Sequence, residues 1–315
     1  MIPHYFMTLK KIMSYFFKVT IVFLFIASSN GHQFSYNTYL KVLGTVQDGG
    51  SPHIGCQKSC CTDLSSQEKE KRKVTSLELY QHGSNKSFLF EATPDIISQW
   101  DLMSHPPSGI FLTHAHMGHY SGLLHLGKEA LSSESIPVYV MPRMYNFLKN
   151  NGPWSQLIDQ KNILLKELHE NESVQVLNKV KIIPLLVPHR DEFSETVGYK
   201  IVGPKKKVLF IPDINKWSLW NKNLISVLKD VDLAFLDATF FNAEEVNYRP
   251  ISEIPHPLVH ETIKYLENET KEIKNKVYFI HMNHTNPLLD PNSDSTKWVV
   301  KQGFNIARIG QEFEL

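Results

Sequence analysis

Histidines crowd one short segment of this chain. Five of the 15 histidines lie in a single segment, at His105, His114, His116, His119 and His125. Three of these form the sequence HAHMGH directly after the apolar segment GIFLT. Side chains two residues apart in an extended segment point the same way, so His114 and His116 share one face, and His119 at the start of the next helical segment can turn toward the same point. Neutral imidazole is the commonest metal ligand, and this spacing therefore predicts a metal site.

The sequence HAHMGH resembles the signature H-x-H-x-D-H of the metallo-β-lactamase superfamily, which lies on the loop after a strand. The resemblance implies an α/β fold, a four-layered αβ/βα sandwich of two mixed β-sheets flanked by helices. It also implies a site for two metal ions that later histidines and one aspartate complete. The candidates are His189, Asp213 and His281, in the segments LLVPHRDEF, VLFIPDINK and VYFIHMNH. Each follows a predicted strand, and loops at strand ends are where a rigid sheet presents site residues.

The resemblance also implies a role for each ligand. Three histidines would hold the first metal ion: His114, His116 and His189. Two histidines would hold the second: His119 and His281. Asp213 would bridge the two ions and hold the attacking hydroxide. His284 is predicted to lie beside the ligands, to substitute for His281, or to protonate the leaving group.

Gly118 is a departure from the signature, because it stands where the superfamily usually has an aspartate that binds the second metal ion. The second position then has three protein ligands, which still permits an open coordination sphere. We therefore predict one or two divalent ions, with zinc first and iron or manganese as alternatives, since imidazole and carboxylate together accept several first-row metals.

Three further segments are similar to one branch of this superfamily. The segments LGTVQDGGSPHIGCQKSCC, FLTHAHMGHYSGL and FIHMNHTNP resemble the branch that contains the coenzyme PQQ biosynthesis protein B and related metal-dependent hydrolases. The resemblance implies a metallo-hydrolase in which a metal-bound hydroxide attacks an ester, amide or phosphodiester bond of a small substrate. Two alternatives stay open: an iron-dependent oxidase or hydroxylase like the PQQ protein, and a periplasmic protein that binds metal without turnover.

Three polar residues outside the ligand set are candidates for contact with a ligand or the substrate. Asp48 follows a predicted strand in a turn, DGG, and lies either at the mouth of the site or in a simple turn. Asp237 ends a predicted strand and is expected to hydrogen-bond a ligand histidine. His256 lies between two prolines and either reaches the substrate or belongs to a rigid loop.

The three cysteines of the chain lie close together, at Cys56, Cys60 and Cys61. Their spacing is too compressed for an ordinary zinc finger, and no fourth cysteine is near. Two interpretations stay open. The thiols bind a metal ion with His53 as a further ligand, or two of them form a disulfide in an oxidising compartment and leave one thiol over.

The predicted elements alternate in a way that suits two mixed sheets between helices. Predicted strands cover 39–46, 76–81, 87–92, 109–113, 137–141, 179–187, 196–202, 207–211, 233–238 and 277–282. Predicted helices lie near 94–101, 119–131, 142–149, 217–229, 257–269 and 294–302. Pro94-Asp95 and Ser293-Asp294 are the expected start signals of the first and last of these helices.

Composition excludes several other classes of protein. With 42% hydrophobic and 21% charged residues, the chain can bury a full core and is not disordered. The 33 basic and 32 acidic residues leave a net charge of +1, which offers no field for capturing a large nucleic acid. A small-molecule substrate is therefore the expected partner. No heptad or apolar stripe indicates an oligomeric state.

The first 30 residues have the pattern of a secretory signal. Lys10 and Lys11 precede an apolar segment and then the small residues SSNG. The uninterrupted apolar part after Lys18 is shorter than the roughly 20 residues that cross a bilayer as a helix. We therefore predict a signal peptide over 1–30, one metallo-β-lactamase-like domain over 31–315, export to the periplasm or medium, and no membrane span after cleavage.

Overall fold

The computed structural model describes residues 37–246 and 250–315. The signal peptide predicted for residues 1–30 lies outside the described residues and stays a prediction. Among the described residues, no helix has the length and apolar character needed to cross a membrane.

Two seven-stranded sheets form the centre of the fold. The first sheet has the order β14-β1-β2-β3-β4-β5-β6, with β1 Thr38–Gly44, β2 Ser76–Gln81, β3 Lys86–Phe90, β4 Pro107–Phe111, β5 Ile136–Val140, β6 Ile163–Glu167 and β14 Glu312–Glu314. The second has the order β13-β12-β11-β10-β9-β8-β7, with β7 Val174–Leu177, β8 Val180–Leu186, β9 Val197–Val202, β10 Lys207–Ile211, β11 Leu233–Asp237, β12 Val277–Ile280 and β13 Asn305–Ile306. Each sheet pairs antiparallel at one end and parallel at the other, so both are mixed.

Helices cover the outer faces of the two sheets. Those described are α1 Ser59–Thr62, α2 Ser66–Glu70, α3 Ile96–Trp100, α4 Met117–Tyr120, α5 Pro142–Asn150, α6 Trp154–Asp159, α7 Leu224–Lys229, α8 Val259–Tyr265, α9 Lys271–Asn275 and α10 Asp294–Lys301. Short 3₁₀ helices lie at Ser121–Leu126, Trp217–Leu219, Ile251–Glu253 and Pro287–Leu289. Apolar side chains of α3, α5 and α6 pack on the first sheet, and those of α7, α8 and α10 pack on the second.

A further apolar cluster, separate from those under the helices, fills the space between the two sheets. Phe90 and Phe111 of the first sheet pack there against Tyr199 and Phe210 of the second, and all four are fully buried. Burial of large aromatic side chains on facing sheets is a main source of stability in such a core. Helix, sheet, sheet and helix are therefore stacked, and the predicted four-layered sandwich is confirmed.

Most of the predicted strands and helices are present. Some of the predicted helices differ in length because local packing interrupts them. The helix expected over 119–131 is instead the short α4 followed by a 3₁₀ helix, because Gly122 lies directly against the backbone of Ala92 and donates its N–H to that carbonyl at 2.8 Å. The helix expected over 217–229 is divided, and Asn223 caps its second part by accepting the N–H of Ser226. Strands β6, β7, β13 and β14 were not predicted.

Of the two predicted helix start signals, one caps its helix and the other does not. The Ser293 side chain accepts the N–H of Thr296 and caps α10, as expected. Asp95 makes no cap hydrogen bond, because its carboxylate accepts the backbone N–H of Val74 at 2.7 Å instead. It therefore ties the α3 start to the segment before β2.

Backbone hydrogen bonds join the two sheets at the edge where the site lies. Gln47 donates to the carbonyl of Met282 at 2.9 Å, and Met282 donates to that of Thr45 at 2.8 Å. Val197 donates to Thr113 at 3.1 Å. The segments after β1, β4 and β12 are therefore held in fixed relation to one another.

Candidate metal centre

The ends of β4, β8 and β10 bring together the four residues predicted for the first metal position. They are His114, His116, His189 and Asp213, whose ligand atoms all lie within 4.8 Å of one another. His116 Nδ1 lies 2.8 Å from His114 Nε2 and 3.3 Å from His189 Nε2. His189 Nε2 lies 3.3 Å from Asp213 Oδ1. Four ligands at zinc-like bond lengths in a tetrahedron would be about 3.3 Å apart, so the arrangement fits one ion.

Each of these three imidazoles has its other ring nitrogen beside an oxygen outside the cluster. The pairs are His114 Nδ1 with Thr113 Oγ1 at 2.9 Å, His189 Nδ1 with Asn215 Oδ1 at 3.1 Å, and His116 Nε2 with Glu192 Oε2 at 3.1 Å. An imidazole that donates one N–H outward keeps the lone pair of the other nitrogen for a metal ion. The outward contacts therefore select the tautomers that a metal centre needs.

A second group shares Asp213 with the first. It consists of Asp48, His119, Asp213 and His281, whose ligand atoms again lie within 4.8 Å of one another. His281 Nε2 lies 3.5 Å from Asp48 Oδ1, and His119 Nε2 lies 3.8 Å from Asp213 Oδ2. The structure thus places Asp213 between two clusters of imidazoles, the position of a bridging ligand.

The orientation of His281 is set by the last residue of β11, Asp237, and by Thr239 just after it. Thr239 donates its hydroxyl hydrogen to Asp237 Oδ1 at 2.8 Å, and its oxygen lies 3.0 Å from His281 Nδ1. Because that hydrogen goes to Asp237, the Thr239 oxygen accepts from the Nδ1–H, and Nε2 of His281 keeps its lone pair. The predicted contact of Asp237 with a ligand histidine is therefore made through Thr239. His281 also has a φ of 65°, a conformation that a non-glycine residue rarely adopts outside sites that require it.

Glu91 faces His119 Nδ1, the ring nitrogen on the side away from Asp213, and is not among the residues predicted from the sequence. Its side chain is fully buried, its φ is 73°, and its Oε2 lies 3.6 Å from His119 Nδ1. Burial by itself lowers the pKa of His119, but the charges of Glu91, Asp48 and Asp213 outweigh it and raise the pKa to about 9. The surroundings of His119 therefore favour a positive charge at this point.

Several polar atoms that face the centre are buried and unpaired. Within the described residues, both ring nitrogens of His119, Nε2 of His281 and Oδ1 of Asp213 have no hydrogen-bond partner. Burial opposes ionisation of Asp213, but the charges of His256 and His189 and the hydrogen bond of His114 hold its pKa well below the usual value. Buried polar atoms without partners are costly unless something else satisfies them. Imidazole lone pairs around an ionised carboxylate are the donor set that a divalent cation takes.

His256 reaches the centre from the loop before α8. Its Nδ1 lies 2.9 Å from Asp237 Oδ2 and 3.1 Å from Asp213 Oδ1. Burial lowers the pKa of His256, but the two carboxylates together raise it to about 10. His256 therefore contacts the central aspartate, and a role toward the substrate stays a prediction.

His284 lies apart from the second metal position. Its ligand atom is grouped with the thiols of Cys56, Cys60 and Cys61, all within 4.8 Å of one another. All three cysteines are free, and the Sγ atoms of Cys60 and Cys61 are 3.9 Å apart, so the structure contains no disulfide among them. His53 stacks on the ring of His284 with centroids 4.6 Å apart, and it is His284, not His53, that the structure groups with the thiols. Three thiols and one imidazole form a ligand set that zinc accepts in structural sites.

A cavity of about 490 Å³ opens beside the centre. Nine of its eleven lining residues carry polar side chains, among them Gln47, His53, Arg190, Glu253, Asn283 and His284. His256 and Thr239 also line it, so the cavity is continuous with the cluster around Asp213. A small substrate in this space would contact polar groups and His256, whose ring reaches Asp213.

Three residues of the centre were not found from sequence. Glu91 is a charged residue at the end of an apolar segment, SFLFEA, and that pattern was a usable signal. Thr239 and Asn215 carry no such signal, because threonine and asparagine after a strand are usual turn residues. Only their contacts with His281 and His189 reveal them.

Comparisons with known proteins agree with the fold described above. A family profile described as "Beta-lactamase superfamily domain" matches residues 86–282. "Coenzyme PQQ synthesis protein B" from Gluconobacter oxydans (strain 621H) is 23% identical over 304 residues, which cover 87% of this chain and 97% of the relative. The crystal structure of Zn(2+)-bound PqqB from Methylobacterium extorquens superposes with a TM-score of 0.72 at 20% identity and covers 88% of this chain and 100% of that one. A diphosphatase from the PhnP family has a TM-score of 0.62 at 23% identity, covering 89% and 97%. At these identities the solved structures establish a shared fold.

Proposed function

The chain belongs to the beta-lactamase superfamily, and we propose that it is a metal-dependent hydrolase of a small substrate. One observation carries the proposal. Five imidazoles and the carboxylates of Asp48 and Asp213 converge beside an open cavity, and several of the converging atoms lack any hydrogen-bond partner. The zinc-bound relative supports zinc as the first metal to test, with iron and manganese as alternatives.

Different residues of the chain would hold the metal ions in such a site. When bound, a divalent ion supplies an activated water at neutral pH and polarises the oxygen under attack. His114, His116 and His189 would hold one ion, and His119 and His281 would hold the other. Asp213 is shared between the two groups and orients both.

His256 is the better proton donor to the leaving group. Asp237 and Asp213 favour its protonated form, and its ring lines the cavity. Burial and the neighbouring charges of His53 and Lys58 lower the pKa of His284 to about 4, so that His284 is neutral at pH 7. A general acid must carry its proton at the working pH, and the proposal therefore assigns this role to His256.

The cavity lining favours an anionic substrate among the ester, amide and phosphodiester classes. Arg190 extends into the rim, and its guanidinium suits the oxygens of a phosphodiester. One carboxylate, Glu253, also lines the rim. The net charge of +1 gives little electrostatic attraction for a long nucleic acid, so a small phosphodiester is the first substrate to test.

The test combines metal content with hydrolysis. Protein purified without added metal is analysed for bound metals and assayed on bis(para-nitrophenyl) phosphate, a para-nitrophenyl ester and a β-lactam. His116→Ala should lose metal and hydrolysis together, while His169→Ala, at an exposed histidine away from the centre, should keep both. Full turnover by His116→Ala would contradict the proposal. Oxygen consumption with Fe(II) and no hydrolysis would instead support an oxidase, and tight metal binding without turnover would support a binding protein.

A further inference from the structure

Asp48 occupies the space in which a side chain at position 118 would lie. A Cβ atom built on Gly118 would be 1.7 Å from Asp48 Cβ and 2.3 Å from Asp48 Cα. Contacts this short do not occur, so the path of this loop and a side chain at 118 exclude each other. The absence of a carboxylate at 118 and the presence of one at 48 are therefore two parts of one arrangement.

We propose that Asp48 is the carboxylate ligand of the second metal position and supplies from the loop after β1 what Gly118 lacks. The inference rests on the proposed metal centre and adds to it the identity of one ligand. Asp48 Oδ1 lies 3.5 Å from His281 Nε2, and its ligand atom is within 4.8 Å of those of His119 and Asp213. The second position then has four protein ligands.

The loop holds this carboxylate in place before any ion arrives. Val46 forms bridges to both Val74 and Met282, and Gln47 donates its backbone N–H to Met282, the residue after His281. The Gln47 side chain donates to Asp48 Oδ1 and accepts the N–H of Gly49 at 3.0 Å. Ligands fixed by surrounding hydrogen bonds need little rearrangement on metal binding.

A simple ion pair between Asp48 and His281 explains these contacts less well. Thr239 accepts the Nδ1–H of His281, so Nε2 faces Asp48 with a lone pair rather than a hydrogen. That nitrogen and Nε2 of His119 have no hydrogen-bond partner among the described residues. A lone pair that faces a carboxylate repels it unless a cation lies between them, and one divalent ion can satisfy Asp48, Nε2 of His281 and Nε2 of His119 together.

The proposal makes the second metal position depend on a segment distant in sequence from the histidine motif. Asp48→Ala and Asp48→Asn are titrated with Co(II) and Zn(II), alongside wild-type protein and Glu167→Gln as a control. Glu167 is an exposed carboxylate that pairs with His169 and belongs to neither ligand group, so its change removes one negative charge without touching either metal position. Thiolate-to-cobalt absorption reports separately on ions bound by the cysteines.

We expect wild-type protein to bind two ions at the histidine clusters. The Asp48 variants should keep the first and bind the second at least about 100-fold more weakly, since even residues that only contact ligands change affinity by about 10–100-fold. Glu167→Gln should keep both. Gly118→Ala should reproduce the loss by displacing Asp48, whereas Gly127→Ala, whose added Cβ would meet a Leu157 methyl at 3.0 Å, should not. Circular dichroism of each metal-free variant shows whether it is folded.

The outcomes separate this inference from the proposed function. Two tightly bound ions in folded Asp48→Ala, with hydrolysis retained, would overturn the ligand assignment and leave the hydrolase intact. A single ion in wild-type protein would also overturn it and leave a hydrolase with one metal ion. No ion at the histidine clusters of wild-type protein would overturn both.

Discussion

In this centre, the tautomer of a histidine can depend on the hydrogen bond of a single neighbouring side chain. The Thr239 hydroxyl donates to Asp237 and accepts from His281, so a single side chain decides which nitrogen of His281 faces the cluster. A threonine in this position contributes through its hydroxyl and not through its methyl group. Its replacement should therefore affect metal binding in a way that serine can rescue.

Thr239→Val should lower affinity for the second metal ion by about 10–100-fold, because the Nδ1–H of His281 loses its acceptor. Thr239→Ser should restore affinity close to that of wild-type protein. Competition with a chromophoric chelator measures both constants. Equal weakening in the serine and valine variants would point to packing rather than to the hydrogen bond.

Protonation of His119 competes with metal binding, and His256 is a second imidazole of the centre with a raised pKa. Nearby carboxylates raise their pKa values to about 9 and about 10, above the ordinary 6.5, so both are protonated in metal-free protein at pH 7. A raised pKa contributes stability that is complete below pH 6.5 and is lost as pH rises through 9 and 10. Metal-free protein should therefore melt at a lower temperature at pH 9 than at pH 7.

A metal ion takes the place of the proton on His119, so the rise in melting temperature on adding zinc should be larger at pH 9 than at pH 7. Scanning fluorimetry across this range, with and without zinc, measures the difference. A rise that is largest at low pH would show that the carboxylates around His119 do not act as described.

At the scale of elements, the start of α4 and the loop after β1 share one space. From the sequence, Gly118 leaves the second metal position without the aspartate that the signature usually supplies. The structure shows that an aspartate cannot simply be added there, because its Cβ would overlap both Asp48 Cβ and Asp48 Cα. Since a backbone atom is one of the obstacles, rotation of the Asp48 side chain cannot relieve the overlap.

Gly118→Asp should destabilise the folded protein by about 1–3 kcal/mol through overpacking and should not increase the number of bound metal ions. Urea unfolding gives the free energy, and metal analysis gives the stoichiometry. Gly127→Ala is the matched glycine near the same helix, where a flexible side chain can move aside. A stable Gly118→Asp protein with an additional ion would show that the loop can take another path.

At the scale of the whole molecule, export is still a prediction from sequence. If residues 1–30 are a signal peptide, a fusion of this segment to a periplasmic reporter should be translocated and cleaved near Gly31 to Phe34. Replacement of Lys10 and Lys11 by glutamate should reduce translocation, because the basic start of the segment orients it. N-terminal sequencing of the secreted reporter locates the cleavage point, and a reporter that stays uncleaved in the cytoplasm would contradict the prediction.

The amino-acid sequence by itself determined the fold class and most of the ligand candidates. Short apolar segments between polar or turn residues predicted β2 and β10 at their observed bounds, since strands buried in the core are rich in apolar residues. His114 and His116 lie two residues apart in one chain segment, so their convergence needs only local geometry. Strands β6 and β14 escaped prediction because short edge strands carry mixed polar and apolar residues.

Only the tertiary structure decided which distant residues meet. The Asp48 carboxylate lies in the space beside Gly118 because the segments after β1 and β12 are joined by backbone hydrogen bonds, and no local pattern encodes that pairing. The same holds for Glu91 behind His119 and for His284 beside the cysteines. Contacts between segments far apart in the chain depend on how the sheets pack, and local spacing carries no information about them.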